Sequence, residues 1–252
     1  LNGKTTVAVN LTNVTALAGS SLSDLETLAS AITLNEFSND DGLTTIALTD
    51  TSIDATTLAS TIDNYDTING GATTGMTLVS GVSINVDASE ITEMLADESA
   101  GRLTIADQVI TVTGAITVSA ANDLNGITQG TVTASIATDS TVDSLATLTG
   151  TNAYTITIAA SDATGSEASE LIAIDNATSV TVDVSAITSI EGTYGEITDL
   201  YGSSGVSGFG DESITITGSS LTVLEANAID ALTTGVVTAS IVTTEIVDSL
   251  AT

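Results

Sequence analysis

The chain has 252 residues, and its two basic residues, Lys4 and Arg102, stand against 32 carboxylates, which gives a formal net charge of −30 at pH 7. Binding to a nucleic-acid backbone depends on Lys and Arg side chains that displace counterions, so this charge excludes nucleic acid as a partner. No apolar run approaches the roughly 20 residues of a membrane-spanning helix, so we expect no membrane insertion.

Several residue types are missing altogether, namely His, Cys, Pro and Trp. Without His or Cys the chain has neither a Ser-His nor a Cys-His nucleophile pair, and it has no ligands for a soft metal. Pairs of carboxylates cleave glycosides in other proteins, but the acidic residues here fall in turns and on polar helix faces, where solvated charge is the usual role. We therefore expect no enzymatic activity.

Segments that alternate apolar residues with Thr, Ser or Asp recur along the chain and predict β-strands. They begin, in chain order, near Thr5, Thr44, Val82, Gln108, Thr131, Ala153, Ser179, Glu212 and Val236. Strands of this kind favour Val, Ile and Thr, and the absence of Pro suits continuous hydrogen-bonded ladders because Pro removes a ladder donor.

Helical spacing of apolar residues occupies some of the gaps between these strands. It predicts helices within residues 21–32, 57–68 and 140–148. Two capping-box patterns, Ser23 with Glu26 and Thr193 with Glu196, predict helix starts.

The sequence also repeats itself over longer distances. VTASI occurs at 132–136 and at 237–241, each copy is followed by VDSLAT, and ITVTG at 110–114 returns as ITITG at 214–218. A second phrase recurs as VNLTNVT, VDASEIT and VDVSAIT. These matches predict one elongated domain, residues 1–252, built of irregular large repeats that begin near residues 7, 84 and 180.

A strand, a short helix and a Gly-containing turn every twenty-odd residues are typical of a solenoid. We therefore predict a β-rich repeat protein, a parallel β-solenoid-like stack of rows that each contain a strand and a short helix or turn. The alternative is a tandem array of immunoglobulin-like β-sandwiches, since the large repeat is near 100 residues. Helical segments between widely spaced strands, and the scarcity of aromatic residues, favour the solenoid.

Acidic clusters in turns offer the hard oxygen ligands that Ca²⁺ requires, although none matches an EF-hand loop. The candidate calcium ligands are Asp40, Asp41, Asp63, Asp66, Asp211 and Glu212. The alternative is that these are solvated turn residues, which leaves Ca²⁺ as a possible cofactor.

Threonines at the outward positions of the predicted strands form a second candidate site. If they share one flat face, their hydroxyl groups present a regular array to a glycan or to ice; the alternative is that Thr is simply a favourable residue for an exposed strand. The candidates are Thr111, Thr113, Thr133, Thr155, Thr157, Thr181, Thr215, Thr217 and Thr238.

Phrases such as GKTTVAV, LTGTNAYTITI, ANAIDALTTGVVTASI and VDSLATLTG resemble the repeat units of very large, acidic, Cys-free surface proteins of marine bacteria, cyanobacteria in particular. The resemblance implies a secreted or cell-surface structural or adhesive role and brings no catalytic residues with it.

The sequence and the resemblance together favour an extracellular structural protein that assembles with copies of itself into a filament or surface layer. The chain opens with LNGKTTVAV, a phrase typical of a repeat interior, and we expect open ends of such a stack to pack head to tail. The alternative is a cell-surface adhesive module, a segment of a giant adhesin whose threonines bind glycan or ice.

Overall fold

The structure is a computed structural model that describes residues 9–10, 16–33, 37–38, 45–48, 50–58, 60–61, 75–78, 80–159 and 165–242. The chain divides into two compact units. Unit 1 comprises Leu1–Ala115 and Asp123–Ala134, and unit 2 comprises Ile116–Asn122 and Ser135–Thr252.

Unit 1 is built on parallel strands that pair in order of sequence. One sheet has the order β2 (Ala16–Ser20), β4 (Thr45–Leu48), β6 (Gly75–Leu78) and β8 (Leu103–Thr104). In a second sheet β5 (Ser52–Asp54), β7 (Ser83–Asp87), β9 (Val109–Ile116) and β10 (Val132–Ile136) lie side by side. A short parallel pair joins β1 (Val9–Asn10) to β3 (Phe37–Ser38).

Unit 2 repeats this plan with shorter strands. Its main sheet has the order β12 (Ser166–Glu167), β14 (Ser189–Gly192), β16 (Ser213–Ile216) and β17 (Val237–Thr238). A second parallel pair consists of β13 (Val182–Asp183) and β15 (Val206–Ser207), and β11 spans Ala153–Thr155.

Helices connect the parallel strands. Their bounds are Leu22–Thr33, Ile91–Ser99, Val118–Ile127, Val142–Leu145, Ala168–Ala177, Tyr194–Gly202 and Val223–Asp230. Parallel strands require such crossovers because the chain must return to the same end of the sheet before the next strand begins.

A repeating unit of structure follows from these elements, and we call it a row: two strands followed by a helix. The row with β13 and β14 pairs with the row of β15 and β16, and both strand pairs have the same offset, Val182 to Val206 and Ile190 to Ile214. Because both strands of one row pair with residues at the same distance along the sequence, the whole row is shifted by one constant number of residues relative to its neighbour.

The core of each row lies between its strands and its helix. Alternate strand residues are buried, as in β10, where Val132, Ala134 and Ile136 face inward while Thr133 and Ser135 face outward. The helices contribute one apolar face, for example Leu171 and Ile174 of the helix Ala168–Ala177, both almost fully buried. Side chains return to the same side of a strand about every two residues and to the same side of a helix about every 3.6 residues. In this chain both spacings place small β-branched and aliphatic residues on one side of each element.

Helix starts agree in part with the sequence predictions. Thr193 and Glu196 form the predicted capping box. The prediction for Ser23 and Glu26 is wrong by two residues, because Ser21 and Asp24 exchange the capping bonds instead: the Asp24 N–H donates to Ser21 Oγ at 3.1 Å and the Ser21 N–H donates to Asp24 Oδ2 at 3.1 Å.

The fold class is α/β with parallel sheets. All strand pairs that the structure describes by register are parallel, which contradicts the alternative of immunoglobulin-like sandwiches, because those domains are antiparallel. The stacking of all rows into one solenoid, and the single domain of residues 1–252, remain predictions.

Candidate functional site

Three threonines join neighbouring rows in the same way, and we call them the row-joining threonines: Thr128, Thr178 and Thr233. The Thr128 hydroxyl donates to the Gln108 carbonyl at 2.6 Å and accepts from the Gly130 N–H at 2.9 Å. The Thr233 hydroxyl likewise donates to the Glu212 carbonyl at 2.7 Å and accepts from the Gly235 N–H at 2.9 Å.

Thr178 makes the equivalent bonds in a third row. Its hydroxyl donates to the Tyr154 carbonyl at 2.7 Å and accepts from the Val180 N–H at 3.0 Å. In all three cases one buried or half-buried hydroxyl satisfies a backbone acceptor in the preceding row and a donor in its own. The contact therefore fixes the position of one row on the next.

Close backbone approach accompanies two of these contacts. A Cβ atom added to Gly130 would lie 2.6 Å from the Gln108 carbonyl carbon, and one added to Gly235 would lie 2.6 Å from the Glu212 carbonyl carbon. Distances this short exclude any side chain, so glycine is required where the backbone of one row crosses the turn of the row before it.

Two buried side chains hold the turns that receive these threonines. Gln108 Oε1 accepts from the Ala106 N–H at 2.6 Å and from the Asp107 N–H at 3.2 Å. Glu212 Oε2 accepts from the Gly210 N–H at 2.8 Å and from the Asp211 N–H at 3.1 Å. An amide and a carboxylate thus perform one structural task, because each offers an oxygen to two adjacent N–H groups.

The second oxygen of Glu212 has its own donor. The Tyr201 hydroxyl donates to Glu212 Oε1, and the Tyr201 ring stacks on Phe209 with centroids 4.4 Å apart. The aromatic pair covers a carboxylate that is only 2 % exposed, and three donors compensate for its loss of water.

The calcium candidates have different outcomes. Asp40, Asp41, Asp63 and Asp66 lie outside the described residues. Asp211 is exposed, whereas both oxygens of Glu212 are already occupied by internal donors, so a cation at Glu212 would have to displace Tyr201 or the turn. Within the ranges that the structure describes, no three acidic side chains are grouped so as to hold a metal ion.

The candidate threonines point outward, but they do not lie on one sheet. Thr111 is half-buried and the others are exposed. Thr113 is in β9 beside Asp87, Thr215 is in β16 between Glu191 and Thr238, and Thr157 pairs with Asp183. Acidic residues therefore interrupt the rows of hydroxyl groups, and the expectation of one regular array on a flat face is not met.

One candidate threonine lines a polar pocket of about 260 Å³ in unit 2. Thr217 lies there with three carboxylates, Glu167, Glu191 and Glu196, of which Glu167 and Glu191 are direct neighbours across β12 and β14. Glu196 is engaged in the capping box, where the Thr193 N–H donates to its carboxylate at 2.7 Å and lowers its pKa. The pocket is therefore acidic and lined by hydrogen-bond acceptors.

Carboxylates also meet beside this pocket, between two helices. Burial raises the pKa of Glu170, and the nearby carboxylate of Asp143 raises it further. Two acidic side chains of neighbouring helices therefore lie close enough for one to affect the ionisation of the other.

A second kind of contact clamps one row onto the next in unit 2. Asn122 Nδ2 donates to the Thr147 carbonyl at 3.0 Å, and Asn122 Oδ1 accepts from the Thr149 N–H at 2.8 Å. The Tyr154 hydroxyl donates to the Ala121 carbonyl at 3.2 Å, and burial raises the pKa of Tyr154 to about 12. Thr149 and Tyr154 follow the helix Val142–Leu145, so these contacts tie the segment that leads into β11 to the earlier helix Val118–Ile127.

Sequence reasoning missed the residues that make these contacts. Two of the row-joining threonines, Thr128 and Thr233, precede strands in the short patterns TQG and TTG, which are typical of ordinary turns, and Thr178 stands in TSV. The signal that could have found them is the recurrence of Thr, any residue, Gly before both copies of the VTASI phrase.

Comparison with known proteins gives no match: no family model fits the chain, and neither a curated protein nor a solved structure is similar to it. None of the described helices is of a length and hydropathy that would span a bilayer, and the longest of them, Leu22–Thr33, has 12 residues.

Proposed function

We propose that the chain is an extracellular structural protein that assembles with copies of itself into filaments or a surface layer and carries out no catalysis. The observation that supports this most directly is the recurrence of one row-joining contact at Thr128, Thr178 and Thr233. Because the same backbone contact recurs between successive rows within the chain, the last row of one copy could make it with the first row of another.

The finer architecture that accompanies this function is a parallel β-solenoid. Rows pair in sequence order, from β12 through β14 and β16 to β17, and neighbouring rows of unit 2 keep their register in two strands at once. Stacked parallel strands leave unpaired N–H and C=O groups at each end, and those edges pair readily with another chain.

The extracellular location is supported by composition and by the resemblance to bacterial surface proteins. With only Lys4 and Arg102 the chain offers trypsin-like proteases two cleavage sites, and its charge of −30 is tolerable where salt or divalent cations screen it. Because the chain has no His and no Cys, its side chains are suited to packing and hydrogen bonding rather than to catalysis, which supports a structural role.

Negative-stain electron microscopy of the purified chain, with and without a calcium chelator, tests the proposal. We expect uniform filaments or sheets in high salt, since screening reduces repulsion between chains. Loss of the assemblies on chelation would make turn carboxylates structural ligands for Ca²⁺. Separate particles under every salt and cation condition would contradict self-assembly.

An adhesive role is the second candidate, and the polar pocket around Thr217 favours it. Carboxylates and a hydroxyl group facing one open space can accept and donate hydrogen bonds to a sugar. Retention on a glycan array that is lost in Thr217→Val would support this role, and a change in ice-crystal habit would support binding through the other threonines. Inertness in both assays would leave the structural role alone.

A further inference from the structure

Three helix starts hold an acidic side chain by the same two hydrogen bonds. In each, a Ser or Thr before the helix donates its hydroxyl and its backbone N–H to the carboxylate three residues later, at 2.7 to 3.1 Å. The pairs are Ser21 with Asp24, Thr193 with Glu196 and Thr222 with Glu225. These two donors stabilise the charged form, and they lower the pKa of all three carboxyl groups.

The helix Ala168–Ala177 begins without such a hydroxyl. The residue before this helix is Glu167, whose side chain does not cap the helix, and the acid three residues later is Glu170. Glu167 thus has the place that Thr193 and Thr222 have in two other helices of the same unit. An acidic side chain stands here where the other helix starts have a hydroxyl donor.

Acidic residues of neighbouring elements lie close to this helix start. Asp143 is in the first turn of the helix Val142–Leu145, which packs against the helix of Glu170, and the charges of Asp143 and Glu167 both act on Glu170. In the sheet Glu167 is the direct neighbour of Glu191 across β12 and β14. We call Asp143, Glu167 and Glu170 the acidic start. When these carboxylates are charged they repel one another.

Positive charge is missing from the elements that pack most extensively against the helix Ala168–Ala177. These elements are β12, β14 and the helices Val142–Leu145 and Tyr194–Gly202. Besides Glu170, the charged groups of these elements and of the helix itself are Asp143, Glu167, Asp175, Glu191, Glu196 and Asp199. Their other titratable side chains, Tyr194 and Tyr201, carry no positive charge in either form. Nothing in these elements offsets the negative charge of the acidic start.

Protonation should therefore act on Glu170 in the opposite direction to Glu196. Burial raises the pKa of Glu170, and the charges of Asp143 and Glu167 raise it further, so the folded chain binds this proton more tightly than the unfolded chain does. The stability that follows is full below the unfolded value of 4.5 and is lost as the pH rises through the higher folded pKa. Acid should tighten this helix start while it weakens the start at Glu196.

We propose that the acidic start is a pH-sensitive joint between the helices Val142–Leu145 and Ala168–Ala177, which loosens when its carboxylates are charged and tightens when Glu170 takes up a proton from water. The proposal goes beyond the proposed self-assembly and does not depend on it. Its consequence is a change in local stability within unit 2 that mild acid brings about and neutral pH reverses.

NMR of the side-chain carboxyl carbons, recorded on the full chain between pH 3 and pH 8, measures the charge coupling. We expect Glu170 to titrate above the value of 4.5 and Glu196 below it. Asp143→Asn should move the Glu170 midpoint to lower pH, because it removes a neighbouring charge. Asp123→Asn is the matched control, since it removes one exposed acid in unit 1, and it should leave the Glu170 midpoint unchanged.

Amide hydrogen exchange measures whether the joint itself opens. Leu171 and Ile174 report on the helix Ala168–Ala177, and Ile197 and Leu200 give the reference in a Thr-capped helix of the same molecule. After correction for the intrinsic effect of pH, and relative to this reference, Leu171 and Ile174 should exchange about twofold to fivefold faster at pH 7 than at pH 5, the size expected of a partly exposed charge interaction.

Glu170→Gln isolates the charge from the shape of the side chain. The amide keeps an oxygen for the Glu167 N–H but carries no charge, so exchange at Leu171 and Ile174 relative to the reference should be as slow at pH 7 as in the wild type at pH 5. A Glu170 midpoint that Asp143→Asn leaves unchanged would overturn the proposal, and so would relative exchange in Glu170→Gln that is as fast at pH 7 as in the wild type. Neither result bears on self-assembly, which electron microscopy tests separately.

Discussion

Gln108 and Glu212 hold equivalent turns, although one side chain is neutral and the other is a carboxylic acid. Each directs one oxygen to the N–H groups of the two residues before it, and each receives a row-joining threonine on its backbone carbonyl. The side-chain geometry is therefore required at this position, while the charge is not.

Replacing Glu212 by Gln, or by Leu, tests whether the side-chain oxygen or the charge is required. Glu212→Gln keeps the oxygen that accepts from Gly210 and Asp211, so we expect a loss of less than about 1 kcal/mol in the free energy of unfolding. Glu212→Leu leaves two N–H groups and the Tyr201 hydroxyl without their acceptor, and about 1–3 kcal/mol should be lost. Urea unfolding at pH 7 measures both. Equal losses in the two variants would contradict the structural role of the carboxylate oxygens.

The close approach at Gly130 predicts a steric effect. Gly130→Ala should destabilise the chain by about 1–3 kcal/mol, because the added Cβ meets the Gln108 carbonyl. Gly126→Ala is the matched control, since no atom lies within 4 Å of its added Cβ and the helix should gain up to about 1 kcal/mol. Thermal unfolding of both variants measures these changes in stability. A Gly130→Ala variant as stable as the wild type would show that the two rows are not in contact at Gly130.

The Thr128 hydroxyl, rather than its methyl group, should carry the row-joining contact. Thr128→Val removes a buried donor and acceptor and should cost about 1–3 kcal/mol, while Thr128→Ser keeps the hydroxyl and should cost less. Amide hydrogen exchange at Gly130 gives a local readout, with faster exchange expected in the Val variant. Similar exchange in the two variants would count against the bond.

Arg102 compensates the buried carboxylate of Asp97. Arg102 Nε donates to Asp97 Oδ1 at 2.8 Å, and Asp97 is 2 % exposed. Arg102→Met should therefore cost about 3–5 kcal/mol, because it leaves a buried charge without its partner. The double variant Asp97→Leu with Arg102→Met should recover most of that loss. A double variant as unstable as the single one would refute the pairing argument.

Acid should weaken the helix starts. The backbone N–H and the hydroxyl of Thr193 lower the pKa of Glu196, so the folded state binds this proton less tightly than the unfolded state does. The resulting stability is present above the unfolded value of 4.5 and is lost as the pH falls through the lower folded pKa.

Glu196→Ala should therefore destabilise the chain at pH 7 and flatten the dependence of stability on pH below 4.5. Asp139→Asn, in an exposed turn, serves as the control and should keep the steep acid dependence. Urea unfolding between pH 7 and pH 3 measures both variants, and an unchanged acid slope in Glu196→Ala would exclude this capping box as a cause.

Much of the secondary structure could be predicted from alternation alone. The predicted strands at Gln108, Thr131 and Glu212 match β9, β10 and β16, because their apolar residues alternate over five or more positions. Short strands such as β12 and β15 could not be predicted, because a strand of two residues is too short to show alternation. Only their pairing with a neighbouring row makes them strands.

Helices with small residues were harder to predict. The helix Val118–Ile127 buries Ala121 and Leu124, and the helix Ala168–Ala177 buries Ala168 and Ala177, so alanine forms part of the apolar face. Alanine does not stand out in a chain rich in Ala and Thr. The contacts of Asn122 and Thr128 were equally hidden, because each depends on residues 20 to 27 positions away.

X-ray fibre diffraction from oriented assemblies of the chain tests the central claim, that copies continue the stack of rows within each chain. Parallel strands stacked along the fibre predict a meridional reflection at about 4.8 Å. A reflection near 4.8 Å on the equator, or fibres without any strand reflection, would contradict the account.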